Sequence, residues 1–196
     1  MKNLIIIMGK SGSGKDTIYK EILKKDKSLH PIVLYTTRDI RPGEKNGVDY
    51  HFVSEKEYKE MESRQEFSAN LYYGKWYYGI RKDVGEEDNY IVVATPAEVL
   101  QLREAYKNDP VNIYLFLIEC DEEMRIIKLF EREDKKIIPD YHEIVRRLKT
   151  DKFDFSDNNA DMTELEKDIQ IIYNDYEMTP EEIADEFLYQ YKHNWK

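Results

Sequence analysis

One short stretch, GKSGSGKDT at residues 9–17, constrains this chain more than any other. From Gly9 to Lys15 it satisfies the phosphate-binding pattern G-x-x-x-x-G-K-[ST], and Asp16 then stands where the pattern asks for a hydroxyl. Phosphates need many hydrogen-bond donors and little side-chain bulk. Gly9, Gly12 and Gly14, interleaved with Ser11 and Ser13, let the backbone curl so that successive N–H groups point inward. The helix that follows presents its positive end to the same place, and Lys15 reaches the outer phosphates. Such a loop needs a strand before it and a helix after it. The apolar run at residues 4–8 is continuous rather than alternating, as in a strand buried on both faces. Ile18, Tyr19, Ile22 and Leu23 then recur at helical spacing.

Asp16 has two readings. A nucleotide-bound magnesium also takes carboxylates and waters, so Asp16 holds the metal directly or through water. Alternatively it simply favours the positive N-terminus of its helix. Its charge beside nucleotide phosphates is costly unless a cation lies between them. Thr17 still supplies a hydroxyl one residue on.

Further buried strands are predicted at residues 32–35, 90–94, 113–118 and 169–173. Between them lie helix starts: Thr95-Pro96-Ala97-Glu98, Thr179-Pro180-Glu181-Glu182, and the variant Asp140 with Glu143. Alternating strands and helices predict an α/β fold with a parallel core sheet flanked by helices. The stretch from about residue 36 to 79 breaks this rhythm, being rich in Tyr, Gly and charge. Residues 48–53 read as a strand there, and Ser54-Glu55-Lys56-Glu57 caps a short helix. Residues 156–164, SDNNADMTE, read as a solvated loop.

The 196 residues suit one domain. A net charge of −10 argues against nonspecific binding of nucleic acid or an anionic membrane, though not against a local basic cleft. The single cysteine, Cys120, forms no internal disulfide and reads as a buried thiol, and the four histidines lack ligand spacing. The N-terminal apolar run is too short for a signal-peptide core, and no stretch approaches a membrane span. A cytoplasmic protein is expected.

YTTRDIRPGEKNGVDYHFVS, residues 35–54, closely resembles the monophosphate-binding region of guanylate kinases, and NLYYGKWYYG, residues 70–79, ends in the family's tyrosine pair and glycine. With the P-loop, the resemblance is sharp over about a third of the chain. It implies a magnesium-dependent enzyme that moves a phosphoryl group from ATP to a 5'-monophosphate, GMP in the family. It places the acceptor's phosphate on Arg38, Arg41, Tyr50 and Tyr78. Guanidinium forks grip phosphate bidentately and phenols fill the remaining sites. It implies a lid whose cations, here Arg132 and Arg147, join Lys15 in neutralising the transferring group; Lys128 replaces a family arginine and Arg146 is an exposed neighbour. Asn174 resembles the family residue beside the donor adenine. The implied division is a core of residues 1–33, 81–127 and 148–196, an acceptor-binding subdomain at 34–80 and a lid at 128–147.

The guanine-reading positions depart from the family. Leu34, Ala69, Ile80 and Thr95 stand where it carries a serine, a glutamate, a serine or threonine, and an aspartate. Ser68, Asn70, Tyr72, Tyr73 and Trp76 are the nearest substitutes for reading or stacking a base. The form GSGKD also resembles ribose 1,5-bisphosphate phosphokinases, whose acceptor has no base. Two alternatives therefore stand beside the GMP reading. One is a kinase of this fold for a sugar phosphate or another nucleotide. The other is a noncatalytic protein-binding domain, which the intact loop through Lys15 disfavours.

Overall fold

The computed structural model describes residues 1–82, 85–135, 139–175 and 177–193. Strand β1 (Lys2–Met8) is the centre of a five-stranded sheet. It pairs in parallel with β7 (Asn89–Val93) on one side and β8 (Val111–Cys120) on the other. β2 (His30–Pro31) and β9 (Ile169–Asn174) complete the edges, also in parallel, giving the order β2-β7-β1-β8-β9. Ile5 and Ile7 join a core cluster with Ile18 and Ile22 of α1 (Lys15–Lys25) and Ile183 and Phe187 of α7 (Pro180–His193). Leu4, Ile6 and Met8 face the other way, toward Val99 and Leu102 of α3 (Pro96–Ala105). Because both faces are covered, residues 4–8 show no apolar–polar alternation, and each buried aliphatic chain contributes about 1.5–3 kcal/mol.

A second sheet, of order β4-β3-β6-β5, stands beside the first. Its strands are β3 (Tyr35–Thr36), β4 (His51–Phe52), β5 (Phe67–Tyr73) and β6 (Trp76–Arg81). Helix α2 (Glu55–Ser63) starts with a full Ser54–Glu57 capping box and buries Tyr58 and Met61 against Phe67. The Tyr58 hydroxyl donates to the Tyr78 carbonyl at 2.7 Å, which pins the sheet to the helix.

The structure corrects several expectations. Residues 32–35 are not one strand. The chain leaves the core sheet at Ile32, whose N–H reaches the Ile91 carbonyl at 2.9 Å, and enters the second sheet at Tyr35. The run is apolar because Ile32 and Leu34 pack on the core cluster while crossing between sheets. Of residues 48–53 only His51–Phe52 is strand; Asp49 instead accepts the Lys45 N–H at 2.9 Å and closes a turn that leaves Val48 exposed. Residues 156–164 are not all loop. Asn159 takes the N–H groups of Asp161 and Met162 and starts α6 (Ala160–Leu165), whose Leu165 is buried. Cys120 is half-buried rather than buried.

Helices α4 (Glu122–Asp134) and α5 (Tyr141–Asp154) both run past the expected lid limits of 128 and 147. Residues 136–138 of that lid, with 83–84, 176 and 194–196 of the expected core, lie outside the described residues. Among the described residues no helix is long and apolar enough to cross a membrane.

Candidate active site

The glycine loop leaves β1 at the point where the strand order reverses between β7 and β8, the usual ligand crevice of a parallel sheet. Gly12 and Gly14 have φ of +85° and +87°, and a Cβ on them would lie 2.6 Å from the Arg125 carbonyl oxygen and 2.5 Å from Asn174 Nδ2. Both positions therefore demand glycine twice over, by conformation and by space. Asn174 holds the loop from beneath, its amide donating to the Ser13 carbonyl at 2.9 Å. Asp151 holds it from the side: its carboxylate accepts the Ser11 N–H at 2.9 Å and the Ser11 hydroxyl at 3.1 Å. Arg125 completes this buttress, donating to the Ser11 carbonyl at 3.0 Å and to Asp151 at 3.2 Å, while Glu122 takes its other face. Arg125 and Asp151 are both almost fully buried, so neither charge is tolerable without the other.

A cleft of about 660 Å³ opens between the two sheets and helix α5. Gly9, Ser11, Lys15, Asp16, Arg38, Arg41, Tyr50, Tyr78, Arg132 and Arg147 all line it. A side cleft of about 490 Å³ is lined by Gly12, Gly14, Thr17 and Asn174, with Met124, Leu129, Met178 and Ile183 supplying an apolar wall. Lys15, Asp16 and Arg132 border both clefts and so mark their junction. Of the loop residues named from sequence, Ser13 alone turns away from both; its side chain is buried and its hydroxyl has no partner.

The cations divide into two sets. Arg38 is buried and already paired: its fork takes both Glu44 oxygens, at 3.0 and 2.8 Å, beneath the rings of Tyr50 and Phe52. Burial works to lower its pKa, and Glu44 more than offsets this and raises it. Arg147 is likewise tied, to Glu143 at 2.8 Å. By contrast, Lys15, Arg41 and Arg132 make no side-chain hydrogen bond or ion pair among the described residues. Desolvation, then the neighbouring charges of Arg38 and Arg147, lower the Arg41 pKa; desolvation and Arg147 do the same to Arg132. Unpaired cations crowded together in a cleft are a receptor for a multiply charged anion. Tyr50 and Tyr78 stand edge to face at 6.1 Å beside them. Burial, then the negative charge of Asp16, push the Tyr50 hydroxyl far above its ordinary range, so it stays a neutral donor.

The other end of the cleft has a different chemistry. Ile32, Leu34, Val93, Ala94, Leu71 and Phe155 form apolar walls, with Thr95, Glu98 and Asp154 among them. Glu98 is nearly fully buried and spends one oxygen on the Thr95 N–H and hydroxyl, both at 2.8 Å. Burial raises Glu98, and burial with the charges of Asp151 and Asp161 pushes Asp154 up to about 6. Ala69 and Ile80 lie in the hydrophobic core, away from the cleft lining. Ser68 is turned to the Ile80 and Arg81 carbonyls, and Tyr72 is exposed outside the cleft; Tyr73 and Trp76 do line it.

Sequence reasoning missed Glu44, Arg125, Glu143 as an ion-pair partner, and Asp151. Glu143 carried a signal, since it precedes Arg146 and Arg147 by three and four residues on one helix. Its expected role was half of a capping box with Asp140. Only half forms: Asp140 accepts the Glu143 N–H at 3.1 Å, but the Glu143 carboxylate goes to the arginines and the Asp140 N–H goes to Glu133.

A glycine loop at the switch point of a parallel sheet, faced across a cleft by arginines and tyrosines of a second sheet, defines a P-loop kinase. The guanylate kinase family model matches residues 1–176, and the chain belongs to the guanylate kinase family, whose members are ATP-dependent nucleoside monophosphate kinases. A guanylate kinase of Prochlorococcus marinus subsp. pastoris is 30% identical over 179 residues, covering 86% of this chain and 95% of that one. One of Caldanaerobacter subterraneus is 32% identical over 152 residues, covering 75% and 70%. The crystal structure of guanylate kinase from Anaplasma phagocytophilum shares the fold, with a TM-score of 0.67 at 20% identity, over 100% of this chain and 87% of that one.

Proposed function

We propose that this protein moves the γ-phosphoryl group of ATP to a 5'-monophosphate, with GMP the acceptor that its family indicates. The observation that carries the reading is the convergence on one cleft of Lys15, Arg41 and Arg132, which are unpaired among the described residues. In this reading residues 1–33, 81–127 and 148–196 form the core, 34–80 the acceptor-binding part and 128–147 the lid. The loop Gly9, Ser11, Gly12, Ser13, Gly14, Lys15, Asp16 and Thr17 holds the donor phosphates, and the adenine lies along the apolar side cleft near Asn174. Arg41, with Arg38 held ready by Glu44, grips the acceptor phosphate, and Tyr50 and Tyr78 donate to its oxygens. Lys15, Arg132 and Arg147 neutralise charge on the group in transit. Phosphoryl transfer needs alignment and charge stabilisation above all, so no general base is assigned.

Magnesium fits these residues as a phosphate-borne ion. Asp16 is exposed at the junction of the two clefts, and no group of three or more acidic, histidine or cysteine side chains forms a cage among the described residues. Such an ion is bound through one or two carboxylates with waters, and the chemistry it would supply is positive charge against the donor phosphates. Asp16 would hold it directly or through water.

The apolar walls around Leu34, and the absence of Ala69 and Ile80 from the cleft, favour a second reading: a same-fold kinase for a phosphate-bearing acceptor without guanine, such as ribose 1,5-bisphosphate or a different nucleotide. Coupled ADP release, measured across the nucleoside monophosphates and ribose 1,5-bisphosphate, separates the two. ADP release stimulated by GMP supports the first, and stimulation by the sugar bisphosphate alone supports the second. No stimulation by any phosphate monoester contradicts both.

A further inference from the structure

The tip of the β5–β6 hairpin touches α5. Tyr73 ends β5 and pairs with Trp76, leaving Gly74 and Lys75 as the turn. The Arg146 guanidinium lies over the Tyr73 ring, 4.5 Å from its centre. Gly74 has φ of +70°, and a Cβ there would stand 3.0 Å from Arg146 Cζ. A side chain at residue 74 would crowd the guanidinium, in addition to the strain of its positive φ.

Arg146 is also held from behind. Glu143 takes its Nε at 2.7 Å and its Nη2 at 2.9 Å, and shares the second oxygen with Arg147 Nε at 2.8 Å. Burial works to raise the Glu143 carboxyl, but the two guanidiniums prevail and hold it at about 2. It is therefore ionised at any neutral pH. Tyr73, Glu143, Arg146 and Arg147 all line the main cleft, so the contact forms part of its wall.

We propose that Arg146 is a latch rather than a phosphate ligand, and that Glu143 is a positioning residue for Arg147. Docking of the hairpin on Arg146 fixes Glu143, and Glu143 fixes the guanidinium that faces the transferring phosphoryl group. Closing the acceptor sheet and placing Arg147 are then one event. This rests on the phosphotransferase reading of the cleft.

Hydrogen exchange in the substrate-free protein tests the latch without activity. Arg146→Ala and Gly74→Ala are each expected to speed exchange at the hairpin tip, residues 73–77, and to leave the β1 amides unchanged. Kinetics with ATP and GMP test the positioning. Tyr73→Leu and Arg146→Ala are each expected to lower kcat about tenfold, with the KM for ATP within about twofold, as for loss of a partly desolvated cation–π contact. The double variant is expected to be no slower than either single one, because both break the same link. Tyr73→Phe keeps the ring and is expected to restore kcat. Unchanged tip exchange in Arg146→Ala overturns the latch. A double variant about a hundredfold slower, or a silent Arg147→Ala in an active enzyme, overturns the positioning role. A parent protein that transfers no phosphoryl group to GMP or any other monophosphate removes the parent reading and the role of Glu143 with it, while the exchange result still decides the latch.

Discussion

The two ends of the central cleft follow opposite rules. At the end proposed to hold phosphate the cations come prearranged. Glu44 and Glu143 carry Arg38 and Arg147, and Lys15, Arg41 and Arg132, unpaired among the described residues, line the same cleft. At the end proposed to face the acceptor's base the walls are apolar, and the polar groups are the acids Glu98 and Asp154 with the Thr95 hydroxyl already engaged. Phosphate recognition is met by charge and geometry common to every acceptor of this kind. Base recognition demands a particular set of donors and acceptors, and of the four positions that resemble the family's guanine readers Leu34, Ala69 and Ile80 are apolar here and the Thr95 hydroxyl is bonded to Glu98. In the proposed reading, the protein keeps its grip on phosphate while loosening its choice of the group that carries it.

Lys15 stands at the junction of the two clefts, and its removal is expected to have the largest effect. Lys15→Ala is expected to lower kcat by about 10² or more, the cost of removing one preorganised electrostatic donor. An unchanged kcat, with contaminating kinases excluded, removes Lys15 from the chemistry. Arg41→Ala sharpens the division within the phosphate end. It is expected to raise the acceptor KM by about tenfold or more, since a charge-assisted hydrogen bond is worth about 1.5–3 kcal/mol, and to leave the ATP KM nearly unchanged. Equal loss of ATP affinity would place Arg41 at the donor site instead.

Asp16→Ser asks whether the carboxylate at the junction serves the metal or only its helix. A several-fold shift in the magnesium concentration for half-maximal rate is expected, with the fold retained. A magnesium titration identical to the parent's would leave Asp16 its helix-terminus role.

The smallest effect comes from the base end. Asp154 titrates near 6 in the folded chain and nearer to 4 when unfolded, so the fold favours its protonated form. That contribution is full below about pH 4 and is lost as pH rises through about 6. Asp154→Asn is expected to abolish this loss. Because the side chain is only half-buried, solvent screening reduces the effect to about 1 kcal/mol. Urea unfolding of both proteins at pH 4.5 and 7.5 measures it, and equal slopes with pH would mean that Asp154 is not raised.

Sequence legibility followed locality. The strand–loop–helix around Lys15 reads directly from residues within a few positions of one another. The capping boxes at Ser54, Thr95 and Thr179 do so too, and all three form. Asp140–Glu143 has the same spacing yet forms only half a box, because two guanidiniums on the next turn outcompete one N–H for the carboxylate. Arg125 and Asp151 stand 26 residues apart on different helices, so no local pattern announces their pairing. Ile32 and Leu34 look like strand because both sheets demand apolar residues at the crossing between them. The positions of Ala69 and Ile80 were legible as apolar, but their burial in the core depends on how the second sheet packs against α3.

Specificity for the acceptor base tests the account most directly. A pocket that hydrogen-bonds one base can discriminate by about 10⁴–10⁵, whereas apolar contact yields only about 10–200-fold. The quantity to measure is kcat/KM for GMP against AMP, CMP, UMP and dTMP, with ATP saturating. GMP, if preferred, is expected to lead by less than about 10³, between these regimes. A GMP preference above about 10⁴ would contradict it and would mean that Glu98, Asp154 or another group in the cleft reads guanine as strictly as the residues this chain lacks.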